Sequence, residues 1–334
     1  MPLRFESRVF TLAKDPEQPS AFQDACCVDC DESVAAIADG VSSALFSGPW
    51  AAILVEAAVA DLPDPTDAEA FSAWLDHQRA HWSASIDTAS LAWHQKAKLA
   101  SGAFSTLLVV RVVAPEASHE GNFGGHRVLA YGIGDSCLLH IRGGELVRTF
   151  PLAKADDFLA DPIVLGSIDL KRDHLLQFAF LDEMCYDGDQ LILCTDALAE
   201  WAVRTYESGE GVNWDDFWPM SDEDWSSGIA WLRQERQIRI DDTTMVMLRV
   251  VSQTADEHAE PLAPRDGQAT SPAHGDPDGG FDWIDTAAKE LKSVSGRMAE
   301  QVDQTSEKIK QGFRSIRDIA LDKYRKTFGR KDDE

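Results

Sequence analysis

The chain has 334 residues, 44% hydrophobic and 26% charged, with a formal net charge of −26 from 31 Lys and Arg against 57 Asp and Glu. A body this acidic repels phosphate backbones, which excludes nucleic acid as a partner. No apolar run approaches the roughly 20 residues that cross a bilayer, and the opening MPLRFESRVF has charges where a signal peptide needs an apolar stretch. A soluble, cytoplasmic protein is expected.

In chain order, apolar or alternating runs predict strands over Arg4–Leu12, Ala25–Cys30, Val34–Ala38, Phe104–Val113, Arg127–Tyr131, Ser136–Arg142, Glu145–Phe150, Gln190–Cys194 and Thr243–Val251. Helical spacing covers Pro49–Ala60, Ala68–Leu99, Ala197–Tyr206 and Asp222–Arg236. Short turns such as Asp31-Glu32 and Arg142-Gly143-Gly144 predict antiparallel hairpins. Strands in clusters with long helices between them indicate an α+β layered sandwich rather than alternating βαβ units.

Composition divides the chain into a body, residues 1–251, a linker, 252–280, and a tail, 281–331. The linker holds four Pro, four Gly and no Phe, Tyr or Trp, too little apolar surface to fold alone. Residues 1–280 carry 19 basic and 46 acidic residues, whereas 281–331 carry 12 basic and 8 acidic, so the tail is a different electrostatic object. Trp283, Val294, Thr305 and Ile316 are spaced by eleven, as are Leu291, Val302, Phe313 and Tyr324. That period, about 3.67 residues per turn, keeps one stripe on one side of an amphipathic helix. The stripe fits packing on the body, a partner helix or an anionic membrane surface, the last making the protein membrane-peripheral.

Five aspartates sit where strand-like runs meet turns: Asp24 in QDAC, Asp39 in AIADGV, Asp135 in YGIGDS, Asp196 in LILCTDA and Asp241 in RIDDTTMVML. Either they are solvated turn formers, or they converge at one sheet rim around hard divalent cations that relieve their repulsion. Cys27-Val-Asp-Cys30 has CxxC spacing but no second pair, so these cysteines are expected to be packed residues. His77 and His81 share a helix face without a third ligand and are expected on the surface. Trp214, Trp218 and Trp225 fall between the last two Asp motifs, as packing residues or as a substrate-facing segment.

The order and neighbours of these segments resemble the metal-dependent protein phosphatase family of the protein phosphatase 2C type, in a bacterial-like variant. QDACCV resembles its first Asp motif, AIADGVSSALFSGPWAA the Asp-Gly motif and following helix, and GAFSTLLVVRV the Gly-Ser/Thr-Thr strand. YGIGDSCLLHIRGGELVR, GDQLILCTDALAEW and DDTTMVMLRV resemble its GDS hairpin, its Ser/Thr-Asp-Gly motif and its terminal Asp strand. The resemblance implies a four-layer α-β-β-α sandwich, here followed by the C-terminal amphipathic helix, with two Mg²⁺ or Mn²⁺ ions at one end. It implies that Asp39 bridges both ions and the Gly40 carbonyl adds a ligand. Asp196 and Asp241 hold one ion, Asp24 helps to hold the other, and Asp135 with Asp196 serves a weaker third. The implied reaction is hydrolysis of phosphoserine or phosphothreonine in phosphoproteins by a hydroxide on the two ions, with no phospho-enzyme.

Departures from the family pattern open an alternative. The segment AKDPEQPSAFQD leading to Asp24 holds no Arg, so Lys14 is the candidate phosphate binder, as a point charge without the bidentate fork. Gln23 replaces a frequent Glu and Val41 a His found in some relatives. Ala197 replaces the Gly after Asp196, where a positive φ would strain any residue with a Cβ. The alternative is a catalytically weak or dead fold that binds a partner through its C-terminal helix.

Overall fold

The computed structural model describes residues 3–114, 125–169 and 178–252, which lie within a compact unit spanning Met1–Glu257. The linker and the eleven-residue repeat of the tail fall outside the described residues. Among the described residues twelve strands, numbered in chain order, form two five-stranded sheets and a small ribbon. Sheet A runs β1 (Leu3–Leu12), β12 (Thr243–Ser252), β11 (Gln190–Cys194), β7 (Cys137–Arg142), β8 (Glu145–Phe150). Sheet B runs β10 (Ala179–Cys185), β6 (His126–Ile133), β5 (Leu107–Val113), β3 (Val34–Ala38), β2 (Ala25–Asp29). The ribbon joins β4 (Phe104–Ser105) to β9 (Leu165–Gly166). Every pairing is antiparallel, as the short turns predicted.

The apolar runs are continuous where both strand faces are covered. Val34 to Ala38 are all buried: Ala35 and Ile37 face the inter-sheet core with Leu108, Leu138 and Leu193, while Val34, Ala36 and Ala38 face the helices. On that outer side, α1 (Ser47–Asp61) and α2 (Ala68–Ser85) cover sheet B through Trp50, Leu54, Phe71 and Leu75. On sheet A, α4 (Asp196–Glu207) and α5 (Asp222–Gln234) supply the fourth layer, with Trp225 stacked on Phe10 at 5.1 Å. Asp67 caps α2 by accepting the Glu69 and Ala70 amides, and the Ser221 hydroxyl caps α5 by accepting that of Asp224. The α-β-β-α layering is the one expected.

Local departures have identifiable causes. The helical run 68–99 breaks after Ser85, because the Asp87 carboxylate accepts the Ala89 amide in a turn, and helix resumes only at α3 (Trp93–Leu99). The strand predicted over 104–113 divides at Thr106, whose amide bonds the Asp39 carbonyl. Strand β10 was not predicted, since Phe180, Asp182 and Met184 on its outer face interleave charge with apolar groups.

Strand alternation also settles the cysteines. Cys26 and Cys30 pack toward the inter-sheet core and Cys27 toward the helix side, and all six cysteines are free. His77 and His81 are exposed on α2. Trp214 is buried and donates to the Tyr206 hydroxyl, while Trp218 donates to Gln190 at the start of β11. That places Trp218 at the opposite end of β11 from Asp196, so the substrate-facing alternative is set aside in favour of packing. Among the described residues, no helix is long and apolar enough to cross a membrane.

At the Asp189 end of the sandwich the sheets are tied by charge. Buried His140 of β7 sits 2.8 Å from Glu183 Oε1 of β10 through Nδ1 and 2.8 Å from Asp189 Oδ2 through Nε2. Arg142 adds a fork onto Asp189. The other end is built differently.

Candidate metal centre

Asp39 follows the buried run of β3 and is fixed through its backbone: its amide donates to Thr106 Oγ1 (2.8 Å) and its carbonyl accepts from the Thr106 amide (2.9 Å). Gly40 binds the Gln23 carbonyl through its amide, at 3.2 Å, which sets β3 beside the segment carrying Asp24. A Cβ at Gly40 would lie 2.7 Å from the Gln23 oxygen and 2.8 Å from the Ser47 carbonyl carbon, so only glycine fits there. Gly134, with φ +97°, makes the turn that delivers Asp135 from β6 of one sheet to β7 of the other.

Asp24 is buried. Its Oδ2 accepts hydrogen bonds from the hydroxyls of Thr244 (2.8 Å) and Thr195 (3.1 Å), while its Oδ1 is buried with no partner. Asp196 opens α4 directly after β11, where the helix N-terminus suits an anion. Asp241 precedes β12 and is half-exposed, and its backbone carbonyl accepts from Arg233. Asp242 turns inward: its buried carboxylate accepts the backbone amides of Lys14 (2.8 Å) and Gln23 (2.9 Å). It is a loop tie, distinct from the half-exposed Asp241.

The five predicted aspartates are brought together. Burial, followed by repulsion from Asp24, Asp196, Asp135 and Asp241, holds the Asp39 carboxyl well above the usual carboxylate range. Burial pushes Asp24 up to about 8, against the pull of the Thr244 hydroxyl, with Asp242 and Asp196 adding repulsion. Asp196 is raised to about 6, chiefly by burial, with Arg239 pulling down and Asp135 and Asp241 pushing up. Burial also raises Asp135. These carboxylates come from both sheets and are short of positive charge.

Two cations of the chain partly answer that shortage. Lys14 Nζ donates to the Ser42 hydroxyl and lies 3.6 Å from Asp241 Oδ1 and 3.8 Å from Asp242 Oδ2. Arg239 Nη2 lies 3.1 Å from Asp196 Oδ2, with its Nε 2.8 Å from Glu200 Oε2. Sequence reasoning found Lys14 but missed Arg239, although its position two residues before Asp241 was visible. Among the described residues, no three His, Cys, Asp or Glu side chains are gathered so as to hold an ion as they stand. Like-charged carboxylates spread apart unless a cation lies between them. The orphaned Asp24 Oδ1 and an all-oxygen donor set nevertheless fit a hard divalent cation.

The Gly expected after Asp196 proves unnecessary. Ala197 lies in the first turn of α4, and positive φ at non-glycine positions is confined, among the described residues, to Ser33, Phe46 and Arg236. Backbone strain at Ala197 is therefore absent, and that ground for a dead enzyme falls.

Comparison with solved structures finds distant likenesses. The serine/threonine phosphatase PstP/Ppp of Mycobacterium tuberculosis is 17% identical, with a TM-score of 0.45, over 75% of this chain and 100% of that one. PppA, described as a key regulatory component of the T6SS in Pseudomonas aeruginosa, is 16% identical with a TM-score of 0.45, over 74% of this chain and 98% of its own. The serine/threonine phosphatase Stp1 of Staphylococcus aureus is 14% identical with a TM-score of 0.46, over 73% and 94%. No curated protein matches the chain by sequence. The sequence profile described as Protein phosphatase 2C matches residues 17–236, which span the acidic motifs from Asp24 to Asp196, all of sheet B, and β7, β8 and β11 of sheet A. The chain belongs to the protein phosphatase 2C family.

Proposed function

We propose that residues 1–251 form a metal-dependent phosphatase that hydrolyses phosphoserine and phosphothreonine monoesters in phosphoproteins. The observation that carries this reading is the crowding of Asp24, Asp196, Asp135 and Asp241 about Asp39. In the proposed assignment, Asp39 and the Gly40 carbonyl serve two ions, Asp196 and Asp241 one of them, Asp24 the other, and Asp135 with Asp196 a weaker third. Mg²⁺ or Mn²⁺ bound there would acidify a water for in-line attack on phosphorus and neutralise the phosphoryl oxygens.

The chain's own groups prepare the rest. Thr195 and Thr244 occupy Oδ2 of Asp24 and leave Oδ1 as the free donor atom. Lys14, steadied by Ser42, offers a point charge to a phosphate oxygen at the edge of the acidic cluster. Val41 supplies no proton, so solvent protonates the departing alkoxide. The products are the free hydroxyl and inorganic phosphate.

The second reading, a phosphatase fold without turnover that binds a partner through residues 281–331, is favoured by one observation: Arg239 is paired with Asp196, one of the proposed ligands. Incubation with p-nitrophenyl phosphate or a phosphothreonine peptide in Mn²⁺ separates the two. Product release that is lost in Asp39→Asn supports the enzyme, and no turnover of either substrate supports the binding module. In this division residues 252–280 are a linker, and the tail, seated on a partner helix or a membrane surface, directs the enzyme to its phosphoprotein. Its removal then leaves turnover of the small ester unchanged.

A further inference from the structure

Arg239 is carried by the segment between α5 and β12, two residues before Asp241. Its guanidinium forks across two carboxylates on one face of α4, Asp196 at 3.1 Å and Glu200, one turn on, at 2.8 Å. Glu200 is shared, because its Oε1 also accepts from Arg204 at 2.8 Å. Arg239 is about half-exposed while Asp196 is buried, so the arginine approaches the carboxylate from the solvent side. That is the side from which an ion would arrive.

A guanidinium and a divalent cation are both attracted to Asp196 and repel each other. The fork gives Arg239 a second hold that does not involve the site, so it can leave Asp196 and remain paired to Glu200. We propose that Arg239 is a built-in counter-ion of the acidic cluster, which stabilises the ion-free site and which a divalent cation must displace from Asp196. The inference rests on the metal-dependent reading above and adds to it a threshold: the cluster fills only where the free ion is concentrated enough to outcompete the arginine. Lys14 lies near Asp241 and Asp242 with a hydroxyl rather than a second carboxylate as its anchor, and it makes no contact of salt-bridge length with Asp196.

The test is Mn²⁺ binding by titration calorimetry on the full chain, with thermal unfolding in EDTA as a second readout that needs no ion. Arg239→Gln is expected to bind Mn²⁺ about tenfold more tightly and to unfold at a lower temperature than wild type in EDTA. Arg239→Lys, which keeps the charge but loses the fork, is expected to fall between the two on both measures. If R239Q does not fold, R239K carries the test through its tighter Mn²⁺ binding relative to wild type. Mn²⁺ affinity in the folded variant equal to or weaker than wild type overturns the proposal. Absence of Mn²⁺ binding to both wild type and variant overturns the metal-dependent reading itself, a different failure.

Discussion

The Thr244 hydroxyl donates to Asp24 Oδ2 at 2.8 Å, joining two residues 220 positions apart, one on sheet A and the other just before the edge strand of sheet B. Thr195 donates to the same oxygen and to nothing else through that proton, while its own oxygen accepts the Thr244 amide. Asp24 is thus oriented by two threonines from neighbouring strand ends. Thr244→Val keeps the shape and removes one donor from a buried carboxyl. It is expected to cost about 1–3 kcal/mol of stability, measured by urea unfolding in EDTA, with a larger cost at pH 9, where the carboxylate is charged, than at pH 6. An equal cost at both pH values would count against this placement of Asp24.

The raised carboxyls make ion-free stability depend on pH in a stated direction. Asp24 is held at about 8 in the fold against an ordinary value of 3.8, so the folded chain keeps a proton that the unfolded chain releases. Its contribution is fully present below about pH 4 and is lost as pH rises through about 8. The unfolding midpoint in EDTA is therefore expected to fall between pH 5 and pH 8.5, and Asp24→Asn to flatten that fall. A wild-type slope of the opposite sign in this window would contradict the burial described for Asp24.

Gly40 has no room for a side chain. A Cβ would press on the Gln23 carbonyl oxygen and on the Ser47 backbone at 2.7–2.9 Å, and backbone atoms do not yield cheaply. Gly40→Ala is expected to lose about 1–3 kcal/mol and to displace the Asp39 loop, so the turnover proposed above should fall together with the midpoint. Retention of full stability would show that the loop relaxes freely.

His140 faces carboxylates with both ring nitrogens, Glu183 through Nδ1 and Asp189 through Nε2. His140→Gln removes the imidazole that bridges two carboxylates, leaving Glu183 to Arg148 and Asp189 to Arg142 and the Tyr186 amide. A loss of about 3 kcal/mol is expected by urea unfolding, with Mn²⁺ affinity unchanged because the cluster lies at the far end of β7 and β11 from Asp135 and Asp196.

What was legible in the sequence follows from how local each signal is. Asp39 and Asp196 announced themselves because each ends a buried strand, and Gly40 because its neighbours repeat a family motif. Lys14 was found by asking which cation stood nearest to Asp24 in sequence. Arg239 was not, because its partners Asp196 and Glu200 belong to another helix and no periodicity points to them. Asp241 and Asp242 are adjacent in the same motif, and only the fold shows the Asp242 carboxylate tying the Lys14 and Gln23 amides and that of Asp241 left toward solvent. The break at Ser85 depended on one side-chain bond from Asp87, too small a signal to outweigh continuous helical spacing. The outer face of β10 carries Phe180 and Met184 exposed beside an Arg127–Asp182 pair, which hides its period from a search for buried faces.

The two ends of the sandwich are held by opposite means. Around His140 the sheets are drawn together by paired charges, whereas around Asp39 they meet through carboxylates that repel. Without a cation among the carboxylates, the aspartate end is expected to be the less stable of the two. In the absence of ions, amide hydrogens near Asp39 and Asp196 should exchange with solvent sooner than those near His140 and Gln190. Under the proposed function, the aspartate end is also where a phosphorylated side chain would enter.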